Sequence, residues 1–170
     1  LQITTLSMNM TIILVISFTI EVGLAVPEIS RYIVSTDNQE IADISRRLGA
    51  DVPFIRPAEL ATDSTPTLPV LRHAVLQCET IYQERVDTVV LLDPTAPLRK
   101  VEDVTECIKL YNEVECDSVI SVNQLNISPE IPMLKLFGSF CKPFSLILSI
   151  TIRRWPQRRE RISIIFVVFP

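Results

Sequence analysis

The sequence predicts an α/β protein, a mostly parallel sheet sandwiched between helices. Three observations carry that expectation. Short β-rich runs alternate with runs of helical period through the middle of the chain, a β-α-β-α-β rhythm. Residues 86–92 are apolar at nearly every position after Asp87, as a strand covered on both faces must be. The β-rich runs end in polar clusters, and in parallel α/β sheets the carboxyl ends of the strands open onto one crevice.

The elements follow in order. Residues 12–20, I-I-L-V-I-S-F-T-I, form the first apolar run. Glu21 closes it short of the roughly 20 residues that a membrane span requires. No Lys or Arg precedes it, as a secretory signal would demand. A core helix or strand is therefore expected, with no membrane partner. Residues 31–34 read as a strand that stops at Ser35, Thr36 and Asp37. Residues 38–48 read as a helix with Ile41, Ile44 and Leu48 on one stripe, and Gly49 as its C-cap. A strand over 52–55 leads into Arg56 and Pro57. Helical spacing over 67–85 places Leu71, Val75, Leu76 and Ile81 on a shared face. The strand at 86–92 runs into Asp93, Pro94 and Thr95. A helix over 101–114 turns Val104, Ile108, Leu110 and Tyr111 inward, and 117–122 reads as another buried strand. At the far end, I-S-I-I-F-V-V-F over 162–169 reads as a buried strand too short to span a membrane as a helix.

Composition sets the outer limits. With 170 residues, 48% hydrophobic and 21% charged, the chain can bury a core and is not a disordered polymer. Its net charge of −4 is uneven. Residues 1–130 carry nineteen acids and nine bases, whereas 131–170 carry one acid, Glu160, and seven bases. Two regions are therefore expected: a partial α/β domain over 1–130 and a divergent basic and apolar tail of the same domain over 131–170. Glycine occurs only at 23, 49 and 138, which excludes a glycine-rich phosphate loop and the Walker-type and complete dinucleotide-binding classes. Cys78, Cys107, Cys116 and Cys141 form no C-x-x-C pair, and His73 is the single histidine. Reduced, mostly buried thiols in a cytoplasmic protein are expected rather than a zinc site. The arginine-rich stretch 153–161 reads as a solvated basic tail. The acidic body would repel a phosphate backbone, so nucleic acid is not an expected partner.

Candidate site residues come from the strand ends. Arg56 and Arg99 carry permanent charge and grip phosphate or carboxylate through paired hydrogen bonds. Asp37 and Asp93 suit sugar hydroxyls, a base amine or a metal ion. Prolines flanking Thr95 stiffen the last loop, so less entropy is lost when a ligand binds. Each has a plainer alternative. Asp37 reads equally as a helix N-cap, Asp93 as a turn residue before Pro94, and Arg99 as a surface partner of Glu102 or Asp103. His73 reads as structural. On these grounds the chain is an α/β domain that binds a phosphorylated or acidic small molecule.

Read together, the strand ends resemble a known family. V-S-T-D-N-Q-E-I-A at 34–42, R-P-A-E-L-A-T-D at 56–63, L-L-D-P-T-A-P-L-R at 91–99 and D-S-V-I-S-V at 117–122 stand in the order and spacing of the acylneuraminate cytidylyltransferases. I-S-F-T-I-E at 16–21 is similar to the helix start that follows that family's first loop. The resemblance covers about residues 16–128. It implies a Rossmann-like sandwich of the nucleotide-diphospho-sugar transferase type. It also implies transfer of CMP from CTP to an acidic nine-carbon (nonulosonic) sugar with release of pyrophosphate, and Mg2+ as cofactor. By the same resemblance Arg56, Thr67 and Asp37 bind CTP, and Asp93, Arg99, Arg154 and Lys135 bind the sugar. A cytoplasmic setting and a homodimer are further implications. A related enzyme acting on another acidic sugar such as Kdo, and a non-catalytic fragment that binds a nucleotide or a partner chain, are the competing readings.

The chain departs from the family pattern in three places. Residues 1–15 hold no Arg, Lys or Gly, where the family has a first strand and a basic glycine-containing loop. Past residue 130 there is no Asp, where the family keeps the paired aspartates that hold its metal. Asp93 replaces the family's usual Gln. An ionised carboxylate only accepts hydrogen bonds, whereas an amide also donates, so a sugar other than N-acetylneuraminate is expected, such as a legionaminic-type relative. A truncated chain with altered ends, an exposed sheet edge and little catalysis is the expectation.

Overall fold

The computed structural model describes residues 2–114, 116–121, 133–137, 140–144, 150–154 and 164–168. The elements are α1 (Gln2–Ala25), β1 (Tyr32–Ser35), α2 (Gln39–Arg47), α3 (Thr67–Tyr82), β2 (Thr88–Leu92), α4 (Val101–Glu113), β3 (Ser118–Ile120), β4 (Met133–Phe137), β5 (Phe140–Phe144), β6 (Ile150–Arg154) and β7 (Ile164–Val168), with a short 3-10 turn at Ala58–Leu60. The apolar run at 12–20 thus lies within a helix. No helix among the described residues is long and apolar enough to cross a membrane.

Five strands form one sheet in the order β1-β7-β2-β6-β3, and β4 pairs with β5 in a separate hairpin. The sheet is mixed. β7 lies parallel to both β1 and β2, whereas β6 lies antiparallel to β2 and β3. Strand β7 lies between β1 and β2, and β1 and β3 form the two edges of the sheet. The apolar run I-I-F-V-V of β7 satisfies the inner backbone groups of both β1 and β2.

Strand alternation sorts the core onto two faces. Val34, Val90, Leu92 and Ile152 pack with Ile16 and Ile20 of α1, Ala42 of α2, and Val104 and Ile108 of α4. Ile33 and Val89 point the other way, onto Leu71, Ala74, Val75 and Cys78 of α3. Each fully buried Ile or Leu here contributes about 1.5–3 kcal/mol of transfer free energy. Gly23 lets α1 lie against the ring of Tyr32, because a Cβ there would stand 2.0 Å from Tyr32 Cε2.

Local signals explain most element ends. Asn38 caps α2, its Oδ1 accepting from the backbone N–H groups of Glu40 at 2.8 Å and Ile41 at 3.2 Å. Gly49, with φ +93°, closes α2 as foreseen. Gly49 N donates to Arg46 O at 3.0 Å and Ala50 N to Ser45 O at 3.0 Å, a Schellman arrangement. Helix α3 stops at Gln83, which turns left-handed with φ 55°.

Several expectations need correction. The strand over 52–55 reduces to an isolated parallel bridge between Ile33 and Asp51. Pro53 has no N–H to give a ladder, so pairing cannot continue. Leu48, Leu76, Ile81 and Leu110 are 39–49% exposed rather than inward. Leu48 falls past the end of α2, Leu76 is turned about 100° beyond the buried Val75, and Ile81 sits in the last turn of α3. Leu110 lies off the stripe formed by Val104, Ile108 and Tyr111. Cys78 is buried and Cys107 and Cys116 half-buried, all three as free thiols. Burial pushes the Cys78 thiol up to about 12, with the Asp51 carboxylate adding to the rise.

Candidate functional site

Two polar groupings stand at the carboxyl ends of β1 and β2, on either side of the end of β7. At the first, Thr36 and Asp37 leave β1, and the chain returns so that Arg56 N donates to Thr36 O at 2.9 Å. That bond brings the Arg56 guanidinium to 3.5 Å from Asp37 Oδ1. The Arg56 side chain is 1% exposed and that of Asp37 38%. Burial lowers the Arg56 pKa, and the charge and hydrogen bond of Asp37 oppose the shift. The site therefore holds a fixed positive charge with a carboxylate on its open side. Asp37 is not the N-cap of α2, because Asn38 fills that position.

At the second, Asp93 shapes the loop after β2. Its Oδ1 accepts from Thr95 N at 2.9 Å and Thr95 Oγ1 at 2.7 Å, an Asx turn. Arg99 comes back from the far side of that loop and donates through Nη2 to the Asp93 carbonyl oxygen. Arg99 is only 7% exposed, so the expected surface pairing with Glu102 or Asp103 does not form. Asp103 instead accepts from Lys100 N at 2.8 Å and caps α4.

The remaining candidates are placed differently. Thr67 is the first residue of α3 and is exposed. Arg154 pairs with Thr88 at the amino end of β2, so its backbone lies four residues of strand away from the carboxyl end, about 13 Å. Lys135 lies in the β4–β5 hairpin, opposite Lys142, outside the five-stranded sheet. The structure brings together Asp37 with Arg56 and Asp93 with Arg99.

One residue near the site was read from sequence as structural only. The His73 ring meets Phe54 edge-on at 5.3 Å between centroids. Its Nδ1 is buried and unpartnered among the described residues. Burial lowers the His73 pKa from its ordinary value and the nearby Arg56 charge lowers it further. The helical position alone gave no signal of this, since it does not reveal that residues 54–56 fold back onto α3. As for Mg2+, no group of three His, Cys, Asp or Glu side chains among the described residues could hold a metal ion.

The described arrangement is a buried arginine paired with a carboxylate and an acid-framed loop at the ends of parallel strands. A family model described as cytidylyltransferase matches residues 13–126, and the chain belongs to that family. Among similar proteins, the post-translational flagellin modification protein B of Campylobacter coli is 32% identical over 104 residues, 61% of this chain and 44% of that protein. The CMP-N,N'-diacetyllegionaminic acid synthase of Legionella pneumophila is 35% identical over 100 residues, 57% of this chain and 41% of the relative. The N-acylneuraminate cytidylyltransferase of Escherichia coli O18:K1:H7 is 33% identical over 117 residues, 68% of this chain and 26% of the relative. The chain thus spans less than half the length of these curated relatives.

Proposed function

We propose that this chain is the nucleotide-handling part of a cytidylyltransferase that activates an acidic nonulosonic sugar with CTP, giving CMP-sugar and pyrophosphate. The observation that carries the proposal is the buried Arg56 held against Asp37 at the strand ends, inside the stretch that matches the family. Helices on both faces and the parallel run β1–β7–β2 support the Rossmann-like nucleotide-diphospho-sugar transferase sandwich as its fold.

In the reaction, the sugar's anomeric hydroxyl attacks the α-phosphorus of CTP, a P–O bond forms to the sugar oxygen, and the bond to the pyrophosphate leaving group breaks. Negative charge grows on the phosphate oxygens, where a fixed cation in a poorly hydrated site counts most. Arg56 suits that role because its guanidinium is pre-placed and cannot deprotonate at neutral pH. Asp37 fixes its orientation and Thr67 offers a hydroxyl from the start of α3. Asp93, with Arg99 bracing its loop, accepts hydrogen bonds from sugar hydroxyls. Mg2+ travels with the nucleotide in this reading, bound largely by phosphates and water. A cytoplasmic setting accords with CTP as co-substrate.

Asp93 supports a legionaminic-type sugar over N-acetylneuraminate, and two relatives carry legionaminic acid in their names. Turnover by this 170-residue chain is expected to be slow, since residues 1–15 hold no cationic or glycine-rich loop and 2–15 are helical. The test is pyrophosphate release and CMP-sugar formation with CTP and a panel of nonulosonic acids. Slow turnover favouring legionaminic-type acids is expected. A clear preference for N-acetylneuraminate contradicts the sugar assignment, and a rate typical of complete family enzymes contradicts the impaired turnover.

A further inference from the structure

Arg56 ends a short stretch, residues 51–56, that runs parallel to β1 along its outer edge. One end is tied at Asp51. Val34 N donates to Asp51 O at 2.9 Å, and Asp51 N to Tyr32 O at 3.3 Å. The other end is tied where Arg56 N donates to Thr36 O at 2.9 Å. Between them Pro53 has no N–H to donate, so pairing with β1 does not hold the stretch continuously.

Helix α3 grips the same stretch through side chains, at two points. Tyr82, the last residue of α3, donates its hydroxyl to Asp51 Oδ2. The Arg31 guanidinium covers the Tyr82 ring at 3.7 Å and stands 3.6 Å from Asp51 Oδ2. Two turns and a half earlier on α3, the His73 ring meets Phe54 edge-on at 5.3 Å. Phe54 and Tyr82 both pack against the apolar cluster that α3 forms with Ile33 and Val89. From His73 to Tyr82 the helix rises about 13.5 Å, and from Asp51 to Phe54 extended chain reaches about 10 Å. The two contacts thus fit a stretch laid antiparallel to α3. That direction carries Arg56 toward the start of α3, where Thr67 stands. His73 Nδ1 has no hydrogen-bond partner among the described residues, so the contact His73 makes with the stretch is that of its ring.

We propose that α3 is a splint that positions Arg56, with His73 and Tyr82 as positioning residues acting through Phe54 and Asp51. The purpose of that positioning rests on the reading of Arg56 as the cation for the CTP phosphates.

Hydrogen exchange of the backbone amides in the 170-residue chain reads the splint directly, because the Arg56 N–H is protected by Thr36 O. His73→Ala should speed the Arg56 amide about two- to tenfold relative to that of Val90 in β2, the loss of one edge-on ring contact. His73→Phe keeps a ring and should restore the parent ratio. Tyr82→Phe loses one hydroxyl, keeps the packing, and should speed the Arg56 amide by a similar factor. Ile108→Val loosens the core on the opposite face of the sheet and should leave the ratio unchanged, which separates positioning from general destabilisation. The double variant His73→Ala/Tyr82→Phe should also bind CTP at least about twofold more weakly, because only molecules with the stretch in place bind. Any of three results overturns the splint: a parent ratio in the double variant, His73→Phe exchanging as fast as His73→Ala, or parent-like CTP binding by the double variant. No CTP binding by the folded parent, or equal binding by Arg56→Met, instead refutes Arg56 as the phosphate cation, while the exchange ratios still decide how Arg56 is held.

Discussion

Replacing Asp37 with Asn tests the geometry of the strand-end site without changing its shape. The carboxylate stands 3.5 Å from a guanidinium whose side chain is 1% exposed, while Asp37 itself is 38% exposed. Breaking a fully buried pair costs about 3–5 kcal/mol, and losing an exposed one about 0–1 kcal/mol. This pair is buried on one side and open on the other, so solvent screens part of the attraction. The expected cost of Asp37→Asn is about 2 kcal/mol, which for a chain of this size lowers Tm by about 4–8 °C. Urea unfolding followed by circular dichroism gives the free energy directly. The double-mutant cycle with Arg56→Met isolates the pair, because Asp37→Asn should matter little once the charge at 56 is gone. A cost under about 0.5 kcal/mol for Asp37→Asn, or additive effects in the cycle, would refute the view that this carboxylate holds Arg56 in place.

Other predictions follow from the same contacts. Ala normally gains up to about 1 kcal/mol over Gly inside a helix, yet Gly23→Ala should lose about 1–3 kcal/mol through overpacking on the Tyr32 ring. Trimming the ring with Tyr32→Leu should recover most of that loss in an unfolding assay. Asn38→Ala should cost about 1 kcal/mol, read from the same curves. The Cys78 pKa is raised from 9.0 and that of Tyr82 from 10.0, each to about 12. Both groups hold their protons more tightly when folded, so their contribution is complete below pH 9 and is lost as pH rises through about 12. Tm should therefore fall above pH 9, and Cys78→Ala with Tyr82→Phe should flatten the alkaline limb. His73 behaves in the opposite sense. Its folded pKa lies below 6.5, so stability falls as pH drops through that region, and His73→Gln should remove this part of the acid limb.

What the sequence disclosed tracks the range of each interaction. The helices α2, α3 and α4 were legible because apolar spacing and the left-handed Gly49 are local features. The helix ends at Asn38 and Gln83 fall close to where those features put them. The 52–55 strand failed for a local reason that was visible in Pro53 but was outweighed by the flanking Val52, Phe54 and Ile55. Non-local pairing was not legible. Nothing in I-I-F-V-V states that it lies between two strands drawn from residues 32–92. Nor does the double arginine at 153–154 reveal a register opposite Thr88 and Val89, at the amino end of β2. Motif order pointed to Arg56, Asp37, Asp93 and Arg99, and the structure pairs them two by two. Sequence neighbours misplaced the partner of Arg99, because Glu102 and Asp103 suggest a surface ion pair, whereas the guanidinium turns inward to the Asp93 carbonyl.

The central claim is that Arg56 binds the phosphates of CTP at the ends of β1 and β2. Isothermal titration of CTP into the 170-residue chain and into its Arg56→Met variant tests this most directly, with Arg72→Met, an exposed arginine on α3, as control. The account predicts saturable binding that Arg56→Met weakens by at least about tenfold, the loss of a charge-assisted phosphate contact, and that Arg72→Met leaves nearly unchanged. Binding of equal strength in the parent and Arg56→Met, or no binding by a cooperatively folded parent, would contradict it.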